Sequence, residues 1–198
     1  MKVVVCSFSE VGDLLSQWRG YCPPGRGYSV GFDARRLEAA ALTQGYSLVP
    51  CLYHKDEQRK VIKSVVDETE ARYSDSYQTK EQEFKMFFLG AVVSIAPLIK
   101  HNSFSEEQEW RLSSFPMANA TVKPKYRAGK RSLIPYQELD LRDPHGEMHI
   151  ERIYVGPTED QVLAGEAVYD FCRNNNVVLK ELNFSETPFR GWCDIPPS

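Results

Sequence analysis

The pattern of apolar and polar positions predicts a chain that begins with short strands separated by a turn and a helix. Residues 3–8 form a continuous apolar run that is typical of a buried strand. Residues 28–32 alternate apolar and small or polar side chains, as a half-buried strand does. Asp33 suits the N-cap of a short helix over residues 34–41, and residues 48–53 read as a further strand.

Two amphipathic helices are predicted next, because apolar residues recur at three-and-four spacing over residues 61–73 and again over 84–98. The second helix is rich in phenylalanine. We interpret its apolar stripe as core packing across a sheet, while a lipid-facing surface and a cofactor-lining surface are the alternatives.

The second half of the chain has mainly a strand pattern and contains no internal repeat. Together with the first half, it predicts a mixed α+β fold in a single domain, residues 1–198. The sheet should be antiparallel-rich, either continuous or split, with the amphipathic helices packed on it. The predicted elements are a strand over 109–115, a hairpin of 121–127 and 131–136, a strand over 149–155, a helix opened by a Thr158–Gln161 capping box and a strand over 177–182.

The composition is that of a globular protein, and it limits the classes of partner that the protein is expected to bind. The chain has 198 residues, 42% of them hydrophobic, and a formal net charge of −3. This charge argues against a surface broadly committed to nucleic acid. Five cysteines without a C-x-x-C pair indicate reduced thiols, and no apolar run reaches the length of a membrane span. We therefore expect a cytoplasmic protein without a membrane partner. Its oligomeric state is left open.

A local basic stretch is the exception to this charge balance. Residues 122–131 interleave lysines and arginines with Tyr126. We interpret the stretch as a solvated hairpin, with nucleic-acid binding as the alternative.

The familiar catalytic signatures are absent from the sequence. None of the four histidines has H-E-x-x-H spacing, and there is no P-loop, no G-x-G-x-x-G fingerprint and no G-x-S-x-G elbow. We accordingly predict no metal site. Two groups of residues are left as candidates.

The first candidate group is acidic and basic. If a strand begins near Glu107, then Glu107, Glu109 and Arg111 share one face of it. On an exposed face these residues would form an ordinary ladder of ion pairs. In a cleft, the arginine would steer a carboxylate that orients a hydroxyl or stabilises a cationic transition state.

The second candidate group is the sequence Ser16-Gln17-Trp18-Arg19-Gly20-Tyr21, which lies between two strand-like runs. We interpret it either as a ligand-binding element or as an aromatic packing element at which the chain reverses direction. The sequence pattern leaves both interpretations open.

These groups resemble the motifs of a bacterial domain-of-unknown-function family, number twenty-nine seventy-one. Members usually carry a preceding Tyr-rich strand and an Asn-Asp-Pro turn, which this sequence lacks; we expect that segment to be lost, excluded by a misassigned start or supplied by another chain. The resembling blocks are Cys6-Ser7-Phe8-Ser9, Ser16-x-Trp18-x-x-Tyr21, Gly27-x-x-x-Gly31-Phe32, Phe104-x-x-Glu107-x-Glu109-Trp110-Arg111 and Ile153-Tyr154-Val155-Gly156-Pro157.

The sequence pattern is also similar, more distantly, to that of ADP-ribosyltransferase-like folds, in which a split sheet binds NAD. This analogy implies that Glu109 is the catalytic carboxylate and that Glu107 orients the acceptor. It also implies ligand-binding residues: Trp18 or Tyr21 stacks on a ring of the nucleotide, Arg19 meets a phosphate, and Ser16 and Arg111 complete the set.

Three functions follow as hypotheses. The first is a nucleotide-dependent transferase or glycohydrolase of toxin or phage-defence type, with NAD as the candidate cofactor. The second is a non-catalytic module that binds nucleic acid. The third is an inactive structural domain, in which Trp18 and Trp110 are core plugs.

Overall fold

The computed structural model describes residues 3–23, 25–73, 81–114 and 123–188. The chain divides into two compact units. The first unit comprises Met1–Glu10 and Glu38–Leu139, and the second comprises Val11–Leu37 and Asp140–Ser198. The single domain expected from the sequence stays a prediction.

The elements confirm a mixed α+β fold. In chain order they are β1 (Val5–Ser9), α1 (Leu15–Tyr21), β2 (Tyr28–Gly31), α2 (Ala34–Thr43), β3 (Tyr46–Pro50), α3 (Lys55–Tyr73), α4 (Glu81–Ile95), β4 (Glu109–Ser114), β5 (Lys125–Ala128), β6 (Leu133–Tyr136), β7 (Met148–Val155), α5 (Gln161–Asn174) and β8 (Val177–Phe184). The strands form small, mostly antiparallel sheets with the orders β1-β4-β3, β2-β7-β8 and β5-β6. Phe115 and residues 121–122, which the sequence placed in strands, lie outside the described residues.

In the first unit, β4 is the central strand, because it pairs antiparallel with β1 on one side and β3 on the other. The core of this unit forms where Ala41, Tyr46 and Leu112 pack together. Their packing holds β4 in place, so that side chains on its neighbouring positions have fixed directions.

The first strand departs from the sequence prediction of a buried strand. Residues Val5 and Cys6 are exposed, because β1 lies at the edge of its sheet and, among the described strands, pairs with β4 alone. A continuous apolar run cannot by itself distinguish a central strand from an edge strand. Cys6 is therefore an exposed thiol rather than a small core residue.

The phenylalanine-rich helix α4 also departs from its prediction. None of its residues is buried, and it packs chiefly on α3, where the ring of Tyr73 meets those of Phe84 and Phe87 with centroids 5.8 Å apart in each case. The apolar stripe of α4 therefore packs against a second helix, although it was expected to pack across a sheet. Among the described residues, no helix is long and apolar enough to span a bilayer.

In the second unit, β7 lies between β2, which is antiparallel to it, and β8, which is parallel. Helix α5 connects β7 to β8 and packs on the sheet through Cys172, beside Ile150 and Ile153. The predicted Thr158 capping box is wrong. The N-cap is Asp160, whose side chain accepts a hydrogen bond from the Leu163 amide at 2.9 Å.

A close backbone approach in the second unit yields a stability prediction. A Cβ on Gly156 would lie 2.9 Å from Cζ3 of Trp18 and 3.0 Å from the Gly27 carbonyl oxygen. Gly156→Ala should therefore destabilise the protein by about 1–3 kcal/mol through overpacking. Gly20→Ala is the matched control, since a Cβ there meets nothing within 4 Å in helix α1. The control should be neutral or stabilising by up to about 1 kcal/mol. Urea unfolding followed by tryptophan fluorescence measures both, and equal midpoints for the two variants would contradict the packing argument.

Candidate functional site

The site in the first unit is built around Glu109, the first residue of β4. The preceding Gln108 has a left-handed backbone, with φ of 41°, where it ends the 3₁₀ helix Asn102–Glu107. A non-glycine residue in this conformation costs free energy and commonly marks a functional position. This sharp turn directs the chain from the 3₁₀ helix into the central strand.

The backbone of Glu109 is held on the β3 side. Its amide donates to Oη of Tyr53 at 2.8 Å, and its carbonyl accepts from the amide of Cys51 at 2.8 Å. The side chain is 5% exposed. An isolated ionised carboxylate would be costly at such a position, so its partners determine whether it can stay charged.

Three side chains supply these partners. Nε of Arg111 donates to Oε1 of Glu109 at 2.7 Å, and Nη2 reaches Oε2 at 3.3 Å. Nζ of Lys100 donates to Oε2 of Glu109 and also to Oε2 of Glu107, the latter at 2.7 Å. The hydroxyl of Ser7 donates to Oε1 of Glu109. Each oxygen of the buried carboxylate therefore accepts two hydrogen bonds.

The sheet register explains why these groups meet. Arg111 lies two residues beyond Glu109 on β4, so both side chains point to the same face. Ser7 of β1 is the Cα partner of Arg111 and faces the same way. Nη1 of Arg111 also donates to the Pro97 carbonyl, which further fixes the guanidinium.

The electrostatics hold Glu109 in its ionised form. Burial raises the pKa of this carboxyl, but hydrogen bonds from Arg111, Lys100 and Ser7 outweigh burial and lower the pKa to about 2. The pKa of Lys100 is raised, because its bonds to both carboxylates outweigh its own desolvation. At neutral pH Glu109 is thus a fixed negative charge and a weak base, so it is poorly suited to activating Ser7 as a nucleophile.

One part of the predicted acidic face is wrong. Glu107 was expected on the same strand as Glu109, but it lies in the 3₁₀ helix before β4 begins. The side chains of Glu107 and Glu109 nevertheless bind the same ammonium group of Lys100. Lysine bridging therefore brings together two carboxylates that strand alternation was expected to align.

The tryptophan of the second candidate group is a buried residue of the second unit. Trp18 is 8% exposed, and its Nε1 donates to Oδ1 of Asp13 at 2.6 Å. The same carboxylate accepts from the hydroxyl of Ser185 and from the amide of Glu186. Desolvation raises the pKa of Asp13, but these hydrogen bonds outweigh it and the pKa is lowered. Asp13 therefore fixes both the tryptophan ring and the chain after β8.

The other residues of that group lie on the surface of helix α1. Tyr21 is 76% exposed, and Ser16 and Arg19 are also exposed. The structure thus brings Glu107, Glu109 and Arg111 together in the first unit, whereas Ser16, Trp18, Arg19 and Tyr21 belong to one short helix of the second. Convergence of the two groups on one ligand stays a prediction.

Sequence reasoning missed Lys100, Ser7 and Asp13 as site residues. Lys100 precedes Glu107 by seven positions, and a 3₁₀ helix over Asn102–Glu107 that the sequence pattern did not predict lies between Lys100 and the strand. Ser7 is visible only through its register with Arg111, and Asp13 only through its contacts. These contacts depend on residues that are distant in the chain, so no local pattern could reveal them.

Potential metal ligands occur in the second unit. Within the described residues, one group of three such side chains lies together, namely Asp143, Glu147 and His149. The sequence interpretation had assigned no metal ligands.

Comparison with known proteins places these residues in a family. Residues 17–112 match the model of a family described as protein of unknown function, DUF2971. This part of the chain belongs to DUF2971. The match contains every predicted site residue except Ser16, which immediately precedes it. Searches of curated proteins and of solved structures found no match.

The DUF2971 match covers three of the five blocks that carried the resemblance in the sequence: the aromatic helix except for Ser16, the glycine block at residues 27–32 and the Glu109 segment. The blocks at residues 6–9 and 153–157 lie outside it. The matched residues therefore include members of both candidate groups, and the family's description assigns no activity to them.

The pKa of Glu109 yields a prediction for acid stability. Because the folded-state pKa is about 2 and the ordinary value is 4.5, the carboxylate's stabilisation is present above pH 4.5 and is lost as the pH falls towards 2. Glu109→Gln should lower the unfolding free energy at pH 7 by a few kcal/mol and flatten its decline between pH 4.5 and 2.

Denaturant unfolding across this pH range measures the effect. Glu138→Gln is the matched control, because Glu138 forms an exposed pair with Lys125 and its loss should cost less than about 1 kcal/mol. If Glu109→Gln retains the wild-type pH slope, the carboxylate is not the group that its partners stabilise.

Proposed function

We propose that this protein is a nucleotide-dependent transferase or glycohydrolase in which Glu109 stabilises positive charge on a ribosyl group, with NAD as the candidate nucleotide. The observation that supports this proposal is a carboxylate, held ionised by Lys100, Arg111 and Ser7, at the start of a central strand. Preorganised charge of this kind acts on transition states in which opposite charge develops.

The reaction has a simple balance. The bond between the ribosyl carbon and the base breaks, and its electron pair leaves with the base, so that the sugar acquires oxocarbenium character. A water molecule or an acceptor nucleophile then forms a bond to the same carbon and loses its proton to solvent. Glu109 contributes a fixed negative charge, since a carboxyl with a pKa of about 2 is a poor proton acceptor.

The hydroxyl of Ser7 suggests how a sugar would enter. Ser7 is exposed, whereas Glu109 is buried, and the serine hydroxyl donates to Oε1 of the carboxylate. A ribose hydroxyl that displaced the serine would make the same hydrogen bond. The two cations would keep the carboxylate in place during this exchange.

The exposed residues of helix α1 are assigned to nucleotide binding. Tyr21 offers an open ring for stacking, and Arg19 offers a guanidinium for a phosphate. Trp18 is a framework residue in this proposal, because its ring is buried and its Nε1 is bonded to Asp13. Consumption of NAD would suit an effector of the toxin or phage-defence type.

The experiment is incubation of the full chain with NAD and with a panel of other nucleotides, followed by mass spectrometry of the products. Wild-type protein should release the free base, and Glu109→Gln should reduce the rate by at least about a hundredfold, as loss of a transition-state electrostatic contact does. Glu138→Gln, which removes an exposed carboxylate from the first unit, should leave the rate unchanged.

Two further variants keep this test decisive if Glu109→Gln does not fold. Tyr21→Ala removes an exposed ring and should raise KM, while Tyr169→Ala removes a comparably exposed ring of α5 and should have no effect. Circular dichroism checks the folding of each variant. If folded wild-type protein consumes no nucleotide, the enzyme proposal is wrong.

The β5–β6 hairpin favours a second function, the binding of nucleic acid. Tyr126 is 61% exposed on this hairpin, and the cationic residues around it are also exposed. An aromatic ring among cations can stack on a base while the cations contact phosphates. Lys125 is engaged by Glu138 at 2.6 Å. Within the described part of the chain, no ion pair involves the neighbouring cations Lys123, Arg127, Lys130 and Arg131, so they supply the charge for this function.

Salt dependence tests this second function. If the hairpin binds single-stranded RNA or DNA, affinity should fall steeply with salt, and Arg127→Ala should reduce the slope of log K against log salt by about 1. Lys63→Ala, on the surface of α3, should leave the slope unchanged. Fluorescence polarisation of a labelled oligonucleotide measures both, and absent or salt-independent binding would remove this candidate.

A further inference from the structure

A turn in the second unit gathers three side chains that the proposed function does not use. The turn leads into β7 and is closed by its own backbone, because the Asp143 amide donates to the Glu147 carbonyl and the Gly146 amide donates to the Asp143 carbonyl, both at 2.9 Å. Gly146 has a φ of 81°, which allows this tight geometry.

The two oxygens of Asp143 have separate partners. Oδ1 accepts from the backbone amides of His145 and Glu147, both at 2.9 Å. Oδ2 faces Nε2 of His149 at 3.0 Å. The first oxygen thus belongs to the turn, and its bonds orient the second oxygen towards the histidine.

Glu147 completes the group. Its Oε2 lies 3.9 Å from Nε2 of His149, and one ligand atom from each of the three residues lies within 4.8 Å of the others. Two ligands of one metal ion are separated by about 3.0–3.4 Å at right or tetrahedral angles, given bonds of about 2.1 Å, and by more at wider angles. Small side-chain rotations would therefore suffice to bring the three atoms onto one ion.

The charge of this group is uncompensated, in contrast to that around Glu109. Among the described residues, neither Asp143 nor Glu147 forms an ion pair with a lysine or arginine; the only basic group against them is the His149 ring. With that ring neutral, the group carries a charge of −2. A divalent cation would balance this charge, whereas the hydrogen bonds that close the turn use neither the side chain of Glu147 nor the ring of His149.

We propose that Asp143, Glu147 and His149 bind a divalent transition-metal cation of the manganese, cobalt or zinc type, through Oδ2, a carboxylate oxygen and Nε2 respectively. The imidazole favours these ions over magnesium and calcium, which prefer oxygen ligands. Three protein ligands leave coordination positions open to water or a further ligand. The metal-bound ring is neutral and carries its one proton on Nδ1: an imidazolium releases its Nε2 proton to solvent on binding, and a neutral ring protonated on Nε2 changes to the Nδ1 tautomer.

Titration of the full chain with Mn²⁺ and Co²⁺, after removal of metal with a chelator, tests the site. Electron paramagnetic resonance counts bound Mn²⁺, and the visible absorption of Co²⁺ reports its ligands. We expect one bound ion per chain, with affinity at least tenfold weaker in His149→Ala and in Asp143→Asn. The asparagine variant retains an oxygen for the turn amides, so a folding defect is not expected.

His145→Ala is the matched control, because His145 lies in the same turn outside the ligand group. It should bind the ion with wild-type affinity. The proposal is overturned if neither ion binds, if His149→Ala binds as tightly as wild type, or if Co²⁺ shows intense thiolate charge-transfer bands that mark cysteine as the ligand. These readouts are independent of nucleotide consumption, so this proposal and the proposed function can fail separately.

Discussion

The organisation of the first unit depends on a single buried carboxylate and on the charges that permit its burial. Glu109 could not remain ionised at 5% exposure without Lys100 and Arg111, whose bonds outweigh its desolvation. The same bonds connect the central strand to the 3₁₀ helix before it and, through Ser7, to the edge strand β1. One electrostatic requirement therefore determines the geometry of three chain segments at once.

The second unit uses a carboxylate in a related way, with neutral donors in place of cations. The Asp13 carboxylate accepts hydrogen bonds from the indole of Trp18, the hydroxyl of Ser185 and the amide of Glu186. These bonds connect helix α1 to the chain after β8. The buried tryptophan anchors one side of that short helix, which leaves Tyr21 exposed. The Asp143 turn differs from both cases, because two carboxylates there face a single imidazole. The three sites thus differ in how their negative charge is compensated. Neutral donors bind Asp13, two cations bind Glu109, and a single imidazole faces Asp143 and Glu147.

Much of the secondary structure was predictable because it rests on local chemistry. Asp33 caps α2 as expected, with its side chain accepting from the Arg36 amide, and Gly45 follows the helix with a φ of 81°. Strand β2 and the β5–β6 hairpin also lie where alternation and turn residues placed them. Two errors are local, namely the capping box at Thr158 and the strand position of Glu107. The others concern surroundings: β1 was expected to be buried and is an edge strand, and α4 was expected on a sheet and packs on α3. Local pattern identifies an apolar face, and the partner of that face is chosen by the rest of the chain.

The candidate site divides in the same way. The sequence by itself determined that Glu109 and Arg111 share a face, because strand side chains repeat every two residues. It also determined the composition of the helix that carries Trp18 and Tyr21. Only the tertiary structure decided that Glu109 is buried and ionised, that Lys100 and Ser7 are its partners, and that Trp18 is internal while Tyr21 is exposed. These outcomes depend on desolvation and on contacts between residues distant in the chain, which a local pattern does not encode.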